Sequence, residues 1–501
     1  MADDSIALKA ARGAGWVFAW RLATRLLGLA STLVLVRYLQ PADFGLVAIA
    51  VAFAGGIDAL SSIGAEYALM REKGTDRALY DTAFTLNVLR GLLTVSIVVA
   101  LALPVAAFLN DPRLVPLMLV MSIALMMSAL ENIGIVEFRR DLAFDKEFWL
   151  FLLPRALGVV SNIALVLVWP SYWVLVIGTL LTRASRMVLS YVLHPYRPRL
   201  TLVAWRPLLS YSIWLWAEGM VVMLRERGDS ILIGRILDPM RVGIFTVGTE
   251  IARLPSTEIM QPISRALFPS FAAARHAGIS LGDGYCRAMA AIATIIFPAC
   301  FGMSLLADPI VRLMLGPNWL AAIPFVQILG AAGAVSVIGS TASNVLAVGG
   351  KTRLQFVLAL IGVSLRIPLL VFMTWRYELF GVAIALTINA VFETALMTVV
   401  VGRYLHLGVM AHIRTFWRPV LATGVMVAGL AISGWGWSEV AGGKVDLGLH
   451  MLTTAVLGAG LYLLSLLLAW LVAGRPAGAE RFLFELGWGA VRGMLRLRHV
   501  R

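Results

Sequence analysis

The chain has 501 residues, 60% of them hydrophobic and 14% charged, with a mean hydropathy of +0.86. That balance excludes a water-soluble globule and a disordered chain and describes a polytopic membrane protein. The net charge of +14 would suit nucleic acid, but most basic residues punctuate apolar segments, where they set topology instead.

The N-terminus, MADDSIALKAARGAGW, has no small-residue cleavage site before a short apolar core, so it reads as the start of the first span. A span needs about 20 apolar residues. Fourteen segments qualify: 14–36, 44–69, 82–109, 114–136, 148–169, 171–193, 208–234, 242–268, 288–307, 319–347, 354–375, 380–402, 415–436 and 448–473. The first carries Arg21 and Arg25, one turn apart on a face shared with Thr32. Two cations so placed repel unless water, an anion or a carboxylate sits between them. Each guanidinium at mid-bilayer depth costs roughly 2.5–3.5 kcal/mol on insertion scales. The pair therefore either lines a wet cavity or snorkels to the cytoplasmic headgroups.

The second span holds Asp58 and Glu66, near Ser61, Ser62 and Tyr67. Asp58, the deeper, is a candidate counter-ion for Arg21 or Arg25 and equally a candidate proton site. Arg90 lies in the third span. No histidine falls in a span interior, so a proton relay would have to use carboxylates. The seventh span is the most charged, with Trp216, Glu218, Arg225, Glu226, Arg227 and Asp229; Arg225 and Asp229 are spaced to pair along one face. On the eighth, Glu250, Arg253, Thr257, Gln261 and Arg265 recur every three to four residues as one polar stripe, which Pro255 and Pro262 interrupt. A polar stripe on a broken helix suits a cargo pathway; a structural network between helices would leave the same trace. Pro104, Pro154, Pro298 and Pro368 lie within or near the ends of other spans, and Arg366 on the eleventh span is placed to pair with Glu393 on the twelfth.

Lys and Arg in the loops place both ends in the cytoplasm. That side gathers Lys9, Arg12, Arg71, Lys73, Arg139, Arg140, Lys146, Arg197, Arg199, Lys351, Arg353 and others, whereas the outer loops hold Arg37, Arg113, Arg235, Arg241, Arg312, Arg376 and Lys444. From residue 474 a tail alternates Arg with Phe482, Phe484, Trp488 and Leu495, the pattern of a basic amphipathic helix on an anionic leaflet. There is also an internal repeat. Arg37-Tyr-Leu-Gln-Pro41-Ala-Asp-Phe-Gly45 aligns without gaps to Arg235-Ile-Leu-Asp-Pro239-Met-Arg-Val-Gly243, and each copy joins two spans on the outer side. Six spans separate the copies, so the halves would point the same way, as in transporters built around an axis along the membrane normal.

No Walker loop, metal cluster or Gly-x-Ser-x-Gly motif is present, and the two cysteines, Cys286 and Cys300, form no metal-type pair. The reading is a non-enzyme with no catalytic residues, no metal and no cofactor. Any driving force would be proton or sodium coupling, the membrane potential, or consumption of the product outside.

The stretch Arg37–Gly45, the loop Phe138-Arg-Arg-Asp-Leu-Ala-Phe144 and the segment Leu315-Gly-Pro-Asn-Trp319 together resemble the bacterial polysaccharide-transporter family. This is the Wzx-like branch of the multidrug/oligosaccharidyl-lipid/polysaccharide (MOP) exporter superfamily. The resemblance covers most of the chain. It implies an all-α membrane protein of 14 helices: two six-helix bundles related by a pseudo-twofold along the membrane normal, plus two additional C-terminal helices. The corresponding domains are 1–200, 201–405, 406–473 and the tail 474–501. It implies flipping of undecaprenyl-diphosphate-linked oligosaccharide from the cytoplasmic to the periplasmic leaflet of the bacterial inner membrane, for exopolysaccharide, capsule or O-antigen synthesis. Relatives that flip the peptidoglycan precursor carry arginines on the first and eighth helices, and Arg21, Arg25 and Arg253 sit in comparable places; the carboxylates of the seventh span depart from a purely cationic cavity. The diphosphate site expected on this basis comprises Arg21, Arg25, Arg253, Arg225 and Gln261, with Asp58, Glu218 and Glu250 as coupling or counter-ion residues. The expected partners are a polyprenyl-diphosphate oligosaccharide, the lipid bilayer and, beyond them, a polysaccharide polymerase and glycosyltransferases. No nucleic acid is expected, and the state is a monomer. The alternatives are a peptidoglycan lipid-precursor flippase, a cation-coupled multidrug exporter, which would want an acidic aromatic cavity, and a non-transporting scaffold.

Overall fold

The computed structural model describes residues 2–61, 69, 77–141, 143–205, 212–260, 263, 271, 280–439 and 442–475, and among these residues the secondary structure is helical. Apolar segments bounded by short polar loops leave the backbone no solvent partner in lipid, and helices satisfy every N–H and C=O internally. In chain order the long helices are α1 (Ala2–Tyr38), α2 (Pro41–Ser61), α3 (Arg77–Leu109), α4 (Leu114–Ala129), α5 (Phe144–Val168), α6 (Trp173–Leu193), α7 (Ser212–Ile236), α8 (Pro239–Ala252), α9 (Leu281–Leu305), α10 (Ile323–Val348), α11 (Thr352–Tyr404), α12 (Val409–Ile432) and α13 (Lys444–Val472). Among the described residues ten helices are long and apolar enough to cross a membrane, or eleven when α4 and the bent segment after it count as one. The protein is thus a multi-pass membrane protein. α7 is too charged to join that set, and α8 has only 14 residues.

The expected spans differ from the helices at identifiable points. The second helix is described over Pro41–Ser61, and residues 62–68 of the expected span lie outside the described residues. The fourth span is not straight: Leu114–Ala129 and Ile133–Arg140 meet at 62°. Fully buried Asn132 holds the bend. Its Oδ1 accepts from Gly134 N–H at 3.0 Å, its own N–H donates to the Ser190 hydroxyl at 2.9 Å, and its Nδ2 donates to the Tyr196 carbonyl at 2.7 Å. The eleventh and twelfth spans form one long element broken at Tyr377 and Glu378, the latter at φ 51°. A methyl group at Gly381 would overlap the Met373 carbonyl, which shows how tightly the chain reverses. Gly362 faces the Glu393 side chain across the two arms of α11. Arg366, one turn beyond Gly362 and buried, therefore shares the helix face that meets Glu393. The basic tail lies outside the described residues from 476 onward.

The chain forms two compact units, Met1–Thr246 and Val247–Arg501. In the first, small residues let helices approach, the usual device where lipid removes the hydrophobic drive between helices. Gly158 of α5 faces Thr182 of α6, Gly178 of α6 faces Asn162 of α5, and Gly91 of α3 meets Ala129 of α4. α2 packs along α7, with Gly56 against Met223 and Gly234 against Ile49. The extended segment after α6 is pinned to the start of α3: Arg199 N–H donates to Asp81, Thr201 N–H to the Thr85 hydroxyl and Ala204 N–H to the Thr82 hydroxyl, at 2.8, 2.9 and 3.2 Å. Tyr196 also donates to Asp81. Burial, then that hydrogen bond, pushes its phenol well above the usual tyrosine range.

The two copies of the repeat touch. A methyl group on Gly45 would overlap the Pro239 carbonyl and stand 2.7 Å from the Gly243 nitrogen; one on Gly243 would overlap the Pro41 carbonyl and stand 3.0 Å from the Gly45 nitrogen. The contact is reciprocal and backbone-on-backbone, which explains why Pro and Gly recur at one spacing. Each copy caps its helix with the same pair of positions in opposite roles. Asp43 accepts from Gln40 N–H at 2.9 Å, whereas Asp238 accepts from Arg241 N–H at 2.8 Å.

In the second unit hydroxyls donate across helices to backbone carbonyls. Thr394 of α11 bonds Val335 of α10 at 3.1 Å, Tyr462 of α13 bonds Thr294 of α9 at 2.7 Å, and Ser465 of α13 reaches Ala422 of α12 at 3.4 Å. Before α10, Gly316 takes φ 92° and Trp319 is fully buried. The Leu315–Trp319 motif is therefore a structural corner, braced by the Arg312–Asp308 pair at 2.8 Å.

Candidate functional site: an arginine stripe on α1

The sequence of α1 contains no carboxylate after Asp4, and residues 148–193, covering most of α5 and all of α6, contain none. The arginines on these helices thus have no acid of their own segment to pair with. α1 lies along α5 through aromatic contacts: Trp16 meets Phe148 edge-on at 5.0 Å, and Trp20 stacks on Phe151 at 4.5 Å with 12° between planes. Arg21 lies over the Trp20 ring, 5.2 Å from its centroid. Arg186 of α6 lies over Phe151 at 4.5 Å and is paired to Glu131 at 3.1 Å. The sequence of contacts is guanidinium, indole, phenyl, guanidinium, carboxylate. A ring face attracts a cation by about 0.5–2 kcal/mol depending on desolvation, so the stack offsets part of the cost of holding arginine at depth.

Arg25 is half-buried one turn above Arg21. One turn further, Gly28 meets Arg155 of α5: a methyl group there would stand 2.7 Å from Nη2. Arg155 is exposed. Arg21, Arg25 and the head of Arg155 thus follow one stripe. Arg155, Arg186, Trp20 and Phe151 were not singled out from sequence. Their signal was available, since arginine in an acid-free apolar segment has to be held by something.

The other predicted residues are placed as follows. Asp58 of α2 accepts from Arg90 of α3 at 2.6 Å, with a longer contact from the same nitrogen to the Asp58 carbonyl. This ion pair ties α2 to α3. Arg225 is exposed on α7 and Asp229, on the same helix, is buried. Arg227 comes within 3.9 Å of a methyl position on Gly55 of α2. In the second unit Glu250 is half-buried and Arg253 exposed. The Arg253 carbonyl accepts the hydroxyls of Ser256 and Thr257 at 3.0 and 2.9 Å, which stitches the helical path across the break at Pro255. Gln261 and Arg265 lie outside the described residues, as do Glu66 and the Glu218 side chain. The Phe138–Phe144 loop is a salt-bridged corner, with Arg139 on Glu147 at 2.9 Å and Arg140 on the Tyr80 hydroxyl at 3.0 Å. No group of three or more potential metal ligands occurs among the described residues.

Comparisons with known proteins agree with this architecture. Residues 34–324 match the family model described as "Polysaccharide biosynthesis protein". The chain is 24% identical over 420 residues to the lipopolysaccharide biosynthesis protein WzxC of Escherichia coli K12, covering 83% of this chain and 85% of that one. It is 23% identical to the teichuronic acid biosynthesis protein TuaB of Bacillus subtilis, covering 73% and 77%. Among solved structures, a lipid II flippase, MurJ, in an inward closed conformation superposes with a TM-score of 0.75 at 15% identity, covering 91% of this chain and all of that one. A multidrug resistance MATE transporter of the MOP superfamily, inward-facing, gives 0.57 at 15% identity, covering 76% and 94%. These likenesses fix the fold as MurJ/MATE-like, and the match over more than half its length places the chain in the polysaccharide biosynthesis protein family.

Proposed function

We propose that the protein is a flippase that moves an undecaprenyl-diphosphate-linked oligosaccharide from the cytoplasmic to the periplasmic leaflet, for exopolysaccharide, capsule or O-antigen synthesis. The observation that carries this reading is the α1 stripe. Arginines held against aromatic faces in apolar, acid-free helices provide what a diphosphate needs and what a cationic drug would avoid. Family membership and the printed names of WzxC and TuaB support the same class of cargo.

Arginines would hold the diphosphate, the sugars would pass through a wet path and the polyprenyl tail would stay in lipid. In this account the molecule has 14 spans, counting α11 as two and adding α4 with its bent continuation, α7 and α8. The halves are two six-helix bundles, 1–200 and 201–405, related by a pseudo-twofold, with α12 and α13 added. The reciprocal Gly45–Gly243 contact supports that symmetry, because each copy presents to the other what it receives. Rocking of the halves would break the contact on the outer side and remake it. Both ends are cytoplasmic in the inner membrane, and the energy is drawn from proton or sodium coupling or from consumption of the product outside. Asp58, Glu218 and Glu250 remain the residues assigned to coupling.

Depletion of the protein followed by mass spectrometry of extracted lipids tests the reading. Accumulation of a polyprenyl-diphosphate multi-sugar unit with loss of surface polymer is expected. Accumulation of the peptidoglycan precursor instead would transfer the assignment to that cargo, and no lipid accumulation with raised sensitivity to cationic drugs would overturn it.

A further inference from the structure

The sequence points to Arg21 and Arg25; the packing of the first unit adds side chains from two other helices. We propose that Arg155 is a third diphosphate-binding guanidinium on the α1 stripe, and that Trp20, Phe151 and Arg186 are positioning residues that fix its geometry. This inference rests on the cargo reading above and deepens it.

The argument is geometric. A diphosphate presents acceptor oxygens over a span that one guanidinium cannot cover, and planar guanidinium forks spaced along a stripe match it. Arg25 and Gly28 are one turn apart on α1, and the Arg155 head rests on Gly28. Any larger residue at Gly28 would displace that head, so the glycine is the seat of the third cation. Arg155 is exposed and Arg25 half-buried, so the stripe is accessible along its length. Arg21 is held from the other end. Its cation lies over the Trp20 ring, Trp20 is stacked on Phe151, and Arg186, itself tied to Glu131, lies over the Phe151 ring. Each ring touches both the other ring and a guanidinium, so moving either ring forfeits two contacts. The function of the stack is to keep Arg21 from snorkelling to the headgroups.

The test is native mass spectrometry of the purified full-length protein in detergent, with undecaprenyl diphosphate and undecaprenyl monophosphate as probes. The wild type is expected to prefer the diphosphate. Arg155→Gln, an exposed position that leaves packing intact, is expected to weaken diphosphate binding about tenfold or more and to erase most of the preference over monophosphate. Trp20→Leu is expected to do the same, and Trp20→Phe, which keeps a π face, to restore it; a purely structural role for Trp20 would lower both ligands equally. Retained preference in Arg155→Gln and Trp20→Leu, with loss in Arg25→Ala, would overturn this inference alone. Unchanged binding in Arg25→Ala would overturn the cationic-site reading itself.

Discussion

The two compact units handle polar groups in lipid differently. In the first, α1, α3 and α6 carry arginines in apolar helices and hold them with rings and ion pairs: Arg21 on Trp20, Arg186 on Phe151 and Glu131, Arg90 on Asp58. In the second, residues 317–348 and α13 beyond Asp446 contain no charged residue, and the helices are joined by hydroxyls donating to backbone carbonyls. A hydroxyl bonded to a carbonyl is electrically finished and serves architecture. A guanidinium on a ring face keeps its charge and its in-plane donors, and remains able to take an anion. On the proposed reading this difference puts most of the anion-binding chemistry in the first unit, with Arg253 as one exposed cation of the second.

The comparison can be broken at several points. The largest effects are expected from Arg25→Ala and Arg253→Ala, which should abolish polymer export while the protein stays in the membrane; normal surface polymer from either mutant would remove that residue from the site. Next come Gly45→Leu and Gly243→Leu. Overpacking costs about 1–3 kcal/mol, and here the obstacle is backbone, so export should fall at least tenfold. Reciprocity predicts that the two substitutions act alike and that the double mutant is little worse than either. Asp58→Asn should lower stability by about 2 kcal/mol, between the values for exposed and buried pairs, because it leaves Arg90, 15% exposed, without that carboxylate. Thermal unfolding in detergent should show the loss, and Arg90→Met combined with it should recover part. The smallest effect belongs to the second unit. Tyr462→Phe removes one hydrogen bond to the Thr294 carbonyl, worth about 1 kcal/mol, and should leave export unchanged. A larger export defect from Tyr462→Phe than from Arg25→Ala would invert the comparison.

Much of the fold was legible because a lipid solvent asks a simple question of each segment. Runs such as 82–109 and 448–473 answer it by length and composition alone. The repeat was legible too, since Pro and Gly recur where two backbones meet. The bend at Asn132 was not, because its partners Ser190 and Tyr196 are distant in sequence. The Arg90–Asp58 pair was not legible either, because it joins two helices through packing that spacing along one segment does not reveal. Arg155 and Arg186 escaped notice because the hydropathy of α5 and α6 masks single charges, and the Trp20–Phe151 stack that organises them exists only once α1 lies on α5.

The most direct test of the central claim is transbilayer movement itself. Purified protein in liposomes would be given a fluorescently labelled polyprenyl-diphosphate sugar, and the fraction reaching the far leaflet read by quenching with a membrane-impermeant reductant. The account predicts rapid movement with the wild type and background movement with Arg25→Ala at equal reconstitution. Equal rates from the two proteins would contradict it.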